Sequence, residues 1–349
     1  MKNKILISGN EALAEASIQA GCKAYFGYPI TPQNEITAYM SRQMPEKNRV
    51  FIQAESELAA INMVLGASAA GVRTMTTSSS PGISLMQEAI SYMAGDELPC
   101  VIANIARGGP GLGNIAGSQS DYFQSVKGGG HGDYNLIVIA PSTVQEMIDL
   151  TFTAFDVADK YRTPVIILAD GYLGQMMEPT TIIEKKETLH VTKDWALTGA
   201  KNRTPNAIHS MYLGDGALEA HNEKLQRKFQ KIKKEFCLVE EISTNDAEII
   251  LVAYGTVARI CKSVLRKLRA KNIKAGLIRP ITLWPFPEQA IKKAASKAKF
   301  LLTIEMSTGQ MVEDVRLATE GKAPVYFYGR TGGGVPKEEE IISIIESKL

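Results

Sequence analysis

The chain has 349 residues and a mass of 38.0 kDa, which is long enough for two domains with cores of ordinary size. Hydrophobic residues make up 45% of the sequence, and the net charge of +2 gives no electrostatic reason to expect binding to nucleic acid or to a membrane surface. The four cysteines form no CxxC pair, no apolar run approaches ~20 residues, and the first residues turn into a strand too quickly for a signal peptide. We therefore expect a protein of the reducing cytoplasm with no transmembrane helix, and neither a zinc site nor an iron–sulfur cluster of its own.

The first part of the chain alternates short apolar segments with helical ones. Predicted strands cover 23–28, 50–53, 72–77, 100–106, 136–140 and 164–169, and predicted helices cover 11–20, 58–71, 83–94 and 144–160. Continuous apolar strands that alternate with helices indicate an α/β fold, in which a parallel sheet has helices on both faces. In such sheets ligands bind at the carboxyl ends of the strands.

The pattern lapses after residue 181 and resumes near 247. A charge run at 184–187 and a long, mostly basic helix at 219–235 predict a linker over 185–246, with a helix that is polar all round. A second, smaller α/β domain is predicted over 247–349. Its strands are predicted at 249–254, 274–278, 300–304 and 325–328, with a helix at 257–270. The first domain is accordingly predicted to cover 1–184.

Glu57 stands where a predicted strand meets a predicted helix. We expect the strand at 50–53 to be buried, and the helix after Glu57 is so rich in apolar and small residues that it should pack on nearly every side. One interpretation is a helix-start carboxylate behind an N-cap at Ser56, stabilised by the helix dipole. The alternative is a functional carboxyl held in an apolar site.

Unusual residues follow other strands of the predicted sheet. Tyr28-Pro29-Ile30-Thr31-Pro32 follows one strand, Thr77 to Gly82 reads Thr-Ser-Ser-Ser-Pro-Gly, and Arg107 to Pro110 reads Arg-Gly-Gly-Pro. We expect these segments to meet Glu57 at one edge of the sheet. For Arg107, a surface loop cation is the alternative interpretation.

Two phosphate-binding motifs are absent, and a third is a coincidence by our interpretation. The sequence has neither GxGxxG in register nor GxxxxGK[ST]. The Mg²⁺–diphosphate motif of thiamine diphosphate enzymes is matched in residue type alone by Gly214-Asp215-Gly216 followed by Asn245. No clean apolar strand precedes Asn245, so we interpret it as a turn and predict no metal site in this chain.

Taken together, the first-domain motifs resemble the 2-oxoacid:ferredoxin oxidoreductases, and specifically the subunit that carries the pyrimidine-binding domain for thiamine diphosphate. The YPITP motif is residues 28–32, and Ser56-Glu57 with Gly66-Ala67 matches the catalytic-glutamate segment. Ala106-Arg107, Ser118 to Tyr122 and Asp170-Gly171 also match. The segments around Glu57, Pro81 and Arg107 look most like the branched-chain (2-oxoisovalerate) subfamily. Gln33-Asn34 departs from the Ser-Ser of pyruvate enzymes, which argues against pyruvate as the main substrate.

The resemblance implies a thiamine diphosphate-binding fold followed by a transketolase C-terminal-like domain. It also implies roles for single residues. Glu57 would be the catalytic residue, because its carboxyl would hydrogen-bond N1′ of the aminopyrimidine and so activate the cofactor. Cofactor contacts are expected from Glu57, Ser79, Ser80, Pro81 and Gly82, and substrate contacts from Tyr28, Pro29, Thr31 and Arg107.

The implied reaction is the oxidative decarboxylation of a 2-oxoacid with coenzyme A, which gives acyl-CoA, CO₂ and reduced ferredoxin. This chain would supply half of the cofactor site. A partner subunit with the diphosphate-binding domain would supply the diphosphate and Mg²⁺ half. Iron–sulfur clusters would lie on ferredoxin-like or gamma-type partner subunits.

Several alternatives stay open at this point. The chain could come from a 2-oxoglutarate- or pyruvate-specific member of the family. It could also be an E1-β-type subunit of an oxoacid dehydrogenase, although such subunits do not carry YPITP. A non-catalytic assembly subunit is the third alternative, and the presence of Glu57, Thr31 and Arg107 together argues against it.

Overall fold

The structure is a computed structural model that describes residues 4–181 and 191–349. In chain order the strands are β1 Ile5–Ser8, β2 Ala24–Gly27, β3 Val50–Gln53, β4 Thr74–Ser78, β5 Val101–Ala106, β6 Ile137–Ile139, β7 Val165–Asp170, β8 Met177–Thr180, β9 Val239–Ile242, β10 Ile249–Val252, β11 Ala275–Pro280, β12 Thr282–Trp284, β13 Phe300–Glu305 and β14 Val325–Gly329. The helices are α1 Gly9–Gln19, α2 Asn34–Glu46, α3 Glu57–Ala69, α4 Pro81–Gly95, α5 Tyr122–Val126, α6 Val144–Tyr161, α7 Gly171–Gln175, α8 Ala217–Glu235, α9 Gly255–Ala270, α10 Glu288–Ala295, α11 Met311–Thr319 and α12 Glu338–Glu346. The charge run at 184–187 and the predicted boundary at 184/185 lie outside the described residues.

The strands form two large sheets and a small one. The first has the order β12-β6-β7-β5-β4-β2-β3 and is parallel except for β12, which pairs antiparallel with β6. The second has the order β14-β13-β10-β11-β9 and is parallel except for β9. β1 and β8 form a separate antiparallel pair. The predicted α/β architecture is confirmed, and β2, β4 and β5 lie side by side with their carboxyl ends at one edge.

The two sheets exchange strands across the predicted domain limits. β12 follows β11 directly in sequence, yet it joins the first sheet, while β9 lies within the range predicted as linker and joins the second. Both are short strands of three or four residues at sheet edges. Local periodicity does not specify such pairings, because the partner strand is distant in sequence or belongs to the other sheet.

Predictions about two exposed elements were wrong. β3 was expected to be buried, but it is the edge strand of the first sheet, and Val50 and Ile52 are 48% and 40% exposed. The helix α8 was expected to be polar all round, but Leu225, Phe229 and Ile232 form a buried stripe along it. Phe229 packs edge-on against Trp284, with ring centroids 5.7 Å apart.

The prediction that α3 packs on nearly every side was also wrong for one face of the helix. Ala60, Ile61 and Val64 are buried against the sheet, as expected for an apolar helix. Leu58 is 47% exposed and Met63 is 36% exposed, so one face of α3 has no packing partner within the described residues. Among those residues no helix combines the length and the hydropathy that a membrane crossing requires.

Candidate functional site

Glu57 lies in the first turn of α3, just after the carboxyl end of β3, and is only 5% exposed. Ser56 caps the helix, because its hydroxyl accepts a hydrogen bond from the Ala59 N–H at 3.2 Å. Glu55 is exposed. The Ser56 cap is confirmed and Glu57 is a buried carboxyl, while its functional role stays a prediction.

Ser78 is the hydrogen-bond partner of Glu57, and the sequence prediction missed it. Ser78 is the last residue of β4, and its hydroxyl donates to Glu57 Oε1 at 3.2 Å. Both side chains are buried. The residues predicted in this segment began one position later, at Ser79, because the sequence alone does not show which of three consecutive serines faces the carboxyl.

Gly82 closes the other side of the Glu57 carboxyl. A Cβ atom at position 82 would lie 2.0 Å from Ser78 Oγ and 2.3 Å from Glu57 Oε1, so only glycine lets α4 begin so close to the carboxylate. Pro81 occupies the start of α4, where its missing N–H costs no helical hydrogen bond. The structure thus brings Glu57, Ser78 and Gly82 into one cradle.

The two serines before Pro81 differ in their hydrogen bonding. The Ser79 hydroxyl is buried and has no hydrogen-bond partner among the described residues. Ser80 has a positive φ of 25°, and its hydroxyl donates to Asp121 Oδ2 at 2.6 Å and accepts from the Arg107 N–H at 2.9 Å. Ser79 is therefore free to bind a ligand, whereas Ser80 is engaged in holding its neighbours.

Arg107 follows β5 and is 8% exposed, so it is not a surface loop cation. Its Nη1 donates to the Thr31 carbonyl at 2.9 Å, and its Nη2 donates to the Leu112 carbonyl at 3.0 Å. Its Nε is buried and has no hydrogen-bond partner among the described residues. These bonds bring Arg107 and Thr31 together, as predicted for residues that follow β5 and β2.

The segment after β2 presents Tyr28, Pro29 and Thr31 at the same edge of the sheet. Tyr28 and Pro29 are exposed, and the Thr31 hydroxyl accepts from Asn34 Nδ2 at 3.2 Å, which leaves its own proton free to donate. Gln33 is fully buried. Its amide donates to the Tyr28 carbonyl at 3.1 Å and accepts from the Thr77 hydroxyl at 2.6 Å, so Gln33 supports this segment from inside.

The predicted residues fall into two groups that α4 joins. Glu57 and Gly82 form one, and Thr31, Arg107 and Ser80 form the other, with Ser80 and Gly82 two residues apart at the start of α4. A cleft of about 810 Å³ opens beside Ser80 and Gly108, between the first domain and residues 306–310 and 331–332 of the second. The cleft is lined by Ser80 and by Gly108, the residue after Arg107.

The Gly214-Asp215-Gly216 sequence does not lie at a strand end. It leads directly into α8, and Asn245 lies in an exposed turn after β9 of the second sheet. Within residues 4–181 and 191–349, no group of three or more His, Cys, Asp or Glu side chains could hold a metal ion.

Comparison with known families gives matches over most of the chain. The model "Pyruvate flavodoxin/ferredoxin oxidoreductase, thiamine diP-bdg" matches residues 15–241, and "Pyruvate:ferredoxin oxidoreductase core domain II" matches residues 247–341. The ketoisovalerate oxidoreductase subunit VorB of Methanothermobacter marburgensis is 49% identical over 337 residues, which cover 97% of this chain and 96% of that protein. The 2-oxoglutarate synthase subunit KorA of the same organism is 36% identical over 372 residues, with 99% of each chain covered.

Solved structures give the same result at the level of the fold. The 2-oxoglutarate:ferredoxin oxidoreductase of Magnetococcus marinus, solved with 2-oxoglutarate, coenzyme A and succinyl-CoA, superposes with a TM-score of 0.86 at 28% identity. The superposition covers 99% of this chain and 65% of that longer chain. A split-gene transketolase superposes with a TM-score of 0.61 at 13% identity, which shows the shared fold alone. The chain therefore belongs to the 2-oxoacid:ferredoxin oxidoreductase family and carries the thiamine diphosphate-binding domain of that family.

Proposed function

We propose that this chain is one subunit of a coenzyme A-dependent oxidoreductase that decarboxylates a branched-chain 2-oxoacid, such as 2-oxoisovalerate, and passes the electrons to ferredoxin. The observation that carries the proposal is the buried carboxyl of Glu57, held between Ser78 and Gly82 at the carboxyl end of the sheet. The products would be acyl-CoA, CO₂ and reduced ferredoxin. The four free cysteines suit the reducing cytoplasm that we expect for this enzyme.

The cradle fits the aminopyrimidine half of thiamine diphosphate. Gly82 has no side chain, so the start of α4 lies directly against the Glu57 carboxyl, and the buried Ser79 hydroxyl has no partner among the described residues. Glu57, Ser79 and Gly82 would hold the pyrimidine ring. When bound, thiamine diphosphate supplies a nucleophilic carbon and accepts the electron pair that CO₂ leaves behind.

Glu57 would share a proton with N1′ of that ring. A buried carboxyl at fixed geometry exchanges a proton with a ring nitrogen more effectively than an exposed one, because water does not compete for its lone pairs. The Ser78 hydroxyl donates to Oε1 of Glu57, so Oε2 would be the oxygen that meets N1′. Glu55 is exposed and does not meet this requirement.

Arg107 would bind the carboxylate of the 2-oxoacid. Its guanidinium is held by two carbonyl oxygens, which fix its position, and its hydrogen bonds within the described residues include no carboxylate. A buried cation in that setting favours an anionic ligand. The free proton of the Thr31 hydroxyl can donate to the same carboxylate or to the 2-oxo group.

Two observations favour a branched-chain substrate over 2-oxoglutarate. The relatives named for ketoisovalerate are 48–49% identical to this chain, against 36% for those named for 2-oxoglutarate. The loop after Arg107 also presents apolar side chains, since Leu112 is 83% exposed and Ile115 is 65% exposed. Residues 108–116 include no lysine or arginine that could pair with the second carboxylate of 2-oxoglutarate.

The partner with the diphosphate-binding domain would cover the exposed faces of α3 and α4. Leu58 and Met63 on α3, Leu85 and Tyr92 on α4, and Val50 and Ile52 on β3 are all between 36% and 54% exposed. We call these six residues the apolar face. Several exposed apolar side chains on neighbouring elements mark an interaction site, and α3 and α4 are also the helices that begin at the Glu57 cradle. A partner there would bring the diphosphate and Mg²⁺ to the same site, while iron–sulfur clusters belong to further ferredoxin-like or gamma-type subunits.

The test is substrate profiling of the native complex with ferredoxin as acceptor. We expect kcat/KM for 2-oxoisovalerate to exceed that for 2-oxoglutarate by ~10² or more, because the latter would have to bury an unpaired carboxylate. Reversed values would assign the chain to a 2-oxoglutarate enzyme, and equal values would overturn the proposed preference for a branched-chain substrate. Reduction of lipoamide but not of ferredoxin would identify an E1-β-type subunit instead.

A further inference from the structure

Asp121 lines the interdomain cleft and accepts hydrogen bonds from two side chains. Ser80 Oγ donates to Asp121 Oδ2 at 2.6 Å, and Asn104 Nδ2 donates to the same oxygen at 2.8 Å. Desolvation raises the pKa of the Asp121 carboxyl, and these two bonds act in the opposite direction. The sequence prediction included Asp121 only as part of a matching motif and gave it no role.

These bonds fix Ser80 in an unusual backbone conformation. Its φ of 25° is rare for a residue with a side chain, and such a conformation persists only where the surroundings impose it. The constraint comes from Asp121, which accepts from the Ser80 hydroxyl, and from Asn104, whose Oδ1 accepts from the Ser80 N–H at 3.1 Å. Ser80 in turn accepts a hydrogen bond from the backbone N–H of Arg107 at 2.9 Å.

The second domain holds the segment that carries Asp121. The Gln119 side chain accepts from the Met306 N–H and donates to the Tyr254 carbonyl, both at 2.9 Å. At the residue directly before Asp121, Gln310 Nε2 donates to the Ser120 carbonyl at 2.8 Å. Residues just after β13, just before α11 and just before α9 thereby set the position of a side chain in the first domain.

Gln310 is itself anchored by a buried carboxylate. Glu305 is fully buried and accepts hydrogen bonds from the backbone N–H groups of Gln310, Met311 and Val312 at 3.0–3.1 Å. Gln310 Oε1 also accepts from the Phe123 N–H at 2.8 Å. The chain of contacts therefore runs from Glu305 through Gln310 to the segment around Asp121.

We propose that Asp121 is a positioning residue for Arg107, an inference that rests on the carboxylate-binding role proposed for that arginine. Asp121 holds Ser80, Ser80 holds the backbone of Arg107, and the second domain keeps Asp121 in place. Loss of Asp121 releases Ser80 from its rare conformation and lets the Arg107 guanidinium move out of register with the substrate carboxylate. Glu57 has no part in this network, so the cofactor should still be activated.

The experiment uses the assembled complex and measures KM for the oxoacid separately from kcat and from cofactor affinity. Asp121→Ala should raise KM ~10-fold or more with a smaller change in kcat, as expected when substrate binding is lost. Asp121→Asn should keep KM within ~3-fold of the wild type, because its amide oxygen accepts the same two hydrogen bonds. Ser80→Gly tolerates the positive φ but removes the hydroxyl, and it should raise KM as Asp121→Ala does.

Asp159→Asn is the matched control. Asp159 is also a buried carboxylate, but it pairs with Arg73 and Lys193 near the amino ends of the strands. Its loss should lower the unfolding free energy of the complex and leave KM unchanged.

A double-mutant cycle separates this inference from the proposed function. In an Arg107→Ala background, Asp121→Ala should add little to KM, because it acts through Arg107. If Arg107→Ala alone leaves KM unchanged, the carboxylate-binding role of Arg107 is wrong. If Arg107→Ala raises KM but Asp121→Ala leaves KM unchanged, the positioning role is overturned. It is also overturned if Asp121→Ala raises KM by the same factor in the wild type and in the Arg107→Ala variant. If Asp121→Ala fails to fold, an unchanged KM in Ser80→Gly overturns it as well.

Discussion

Glu57 and Gly82 lie so close that a Cβ on Gly82 would be 2.3 Å from the Glu57 carboxylate oxygen Oε1. Ser78 Oγ would be closer still, at 2.0 Å. Both atoms are at the ends of side chains, which can turn away, so the fold could absorb the extra methyl group. The carboxyl that we assign to the cofactor could not stay where it is.

Gly82→Ala should therefore damage activity more than stability. An alanine inside a helix ordinarily stabilises it by about 1 kcal/mol relative to glycine, but here the methyl group displaces Glu57. We expect kcat/KM of the assembled complex to fall by ~10² or more, the scale for displacing a reacting group by about 1 Å. Gly214→Ala is the control, since its Cβ would meet only the Ala217 Cβ, at an ordinary 3.7 Å. Full activity in Gly82→Ala would show that the cradle does not hold the reacting carboxyl.

Leu58→Asp should weaken assembly without unfolding the chain. Leu58 is 47% exposed at the start of α3 and belongs to the apolar face. A carboxylate there costs little in water but must be desolvated under a partner subunit, so we expect the dissociation constant to rise at least ~10-fold. Titration of the partner subunit measures it. Leu317→Asp, at a 74% exposed leucine on α11, should leave assembly intact, and equal effects of the two substitutions would place the interface elsewhere.

Arg107→Ala should raise KM for the oxoacid and lower kcat/KM by ~2–4 kcal/mol, the scale for losing one partner of a desolvated charge pair. Cofactor affinity, measured by calorimetry on the complex, should hardly change. If cofactor binding collapses while KM stays constant, Arg107 serves the cofactor and not the substrate.

The lowered pKa of Lys228 predicts that the free energy of unfolding depends on pH. Burial lowers the pKa of Lys228 to about 8, an effect that the nearby Glu97 opposes. Between pH 8 and the ordinary lysine pKa near 10.5, the unfolded chain holds more protons than the folded one, so this group makes the protein more stable as the pH rises. In urea unfolding, the wild type should gain about 2 kcal/mol over Lys228→Met between pH 7.5 and pH 10. A difference that does not change with pH would contradict this.

Much of the fold could be predicted from sequence because its strands are continuous apolar runs. The segment at 50–53 matches β3, and 300–304 differs from β13 by one residue. Whether an apolar run lies at the centre or at the edge of a sheet depends on the tertiary fold. For this reason the prediction that β3 is buried was wrong. The strand pairings of β9 and β12 were missed for the same reason.

The candidate site was predictable where a motif placed chemically distinctive residues at strand ends. Glu57, Thr31 and Arg107 were found in this way, and their roles stay predictions. Ser78 and Asp121 were not assigned roles, because their importance comes from contacts with residues 21 and 41 positions away. No local pattern encodes such contacts.

The most direct test of the account is hydrogen–deuterium exchange at C2 of thiamine diphosphate in the assembled complex. Glu57→Gln keeps the shape of the side chain but cannot share a proton with N1′, so the exchange rate should fall by roughly 10²–10⁴ while folding, assembly and cofactor binding persist. Glu55→Gln, at the exposed neighbour, should exchange almost as fast as the wild type. Equal exchange rates in the wild type and in Glu57→Gln would contradict the assignment of Glu57 as the residue that activates the cofactor.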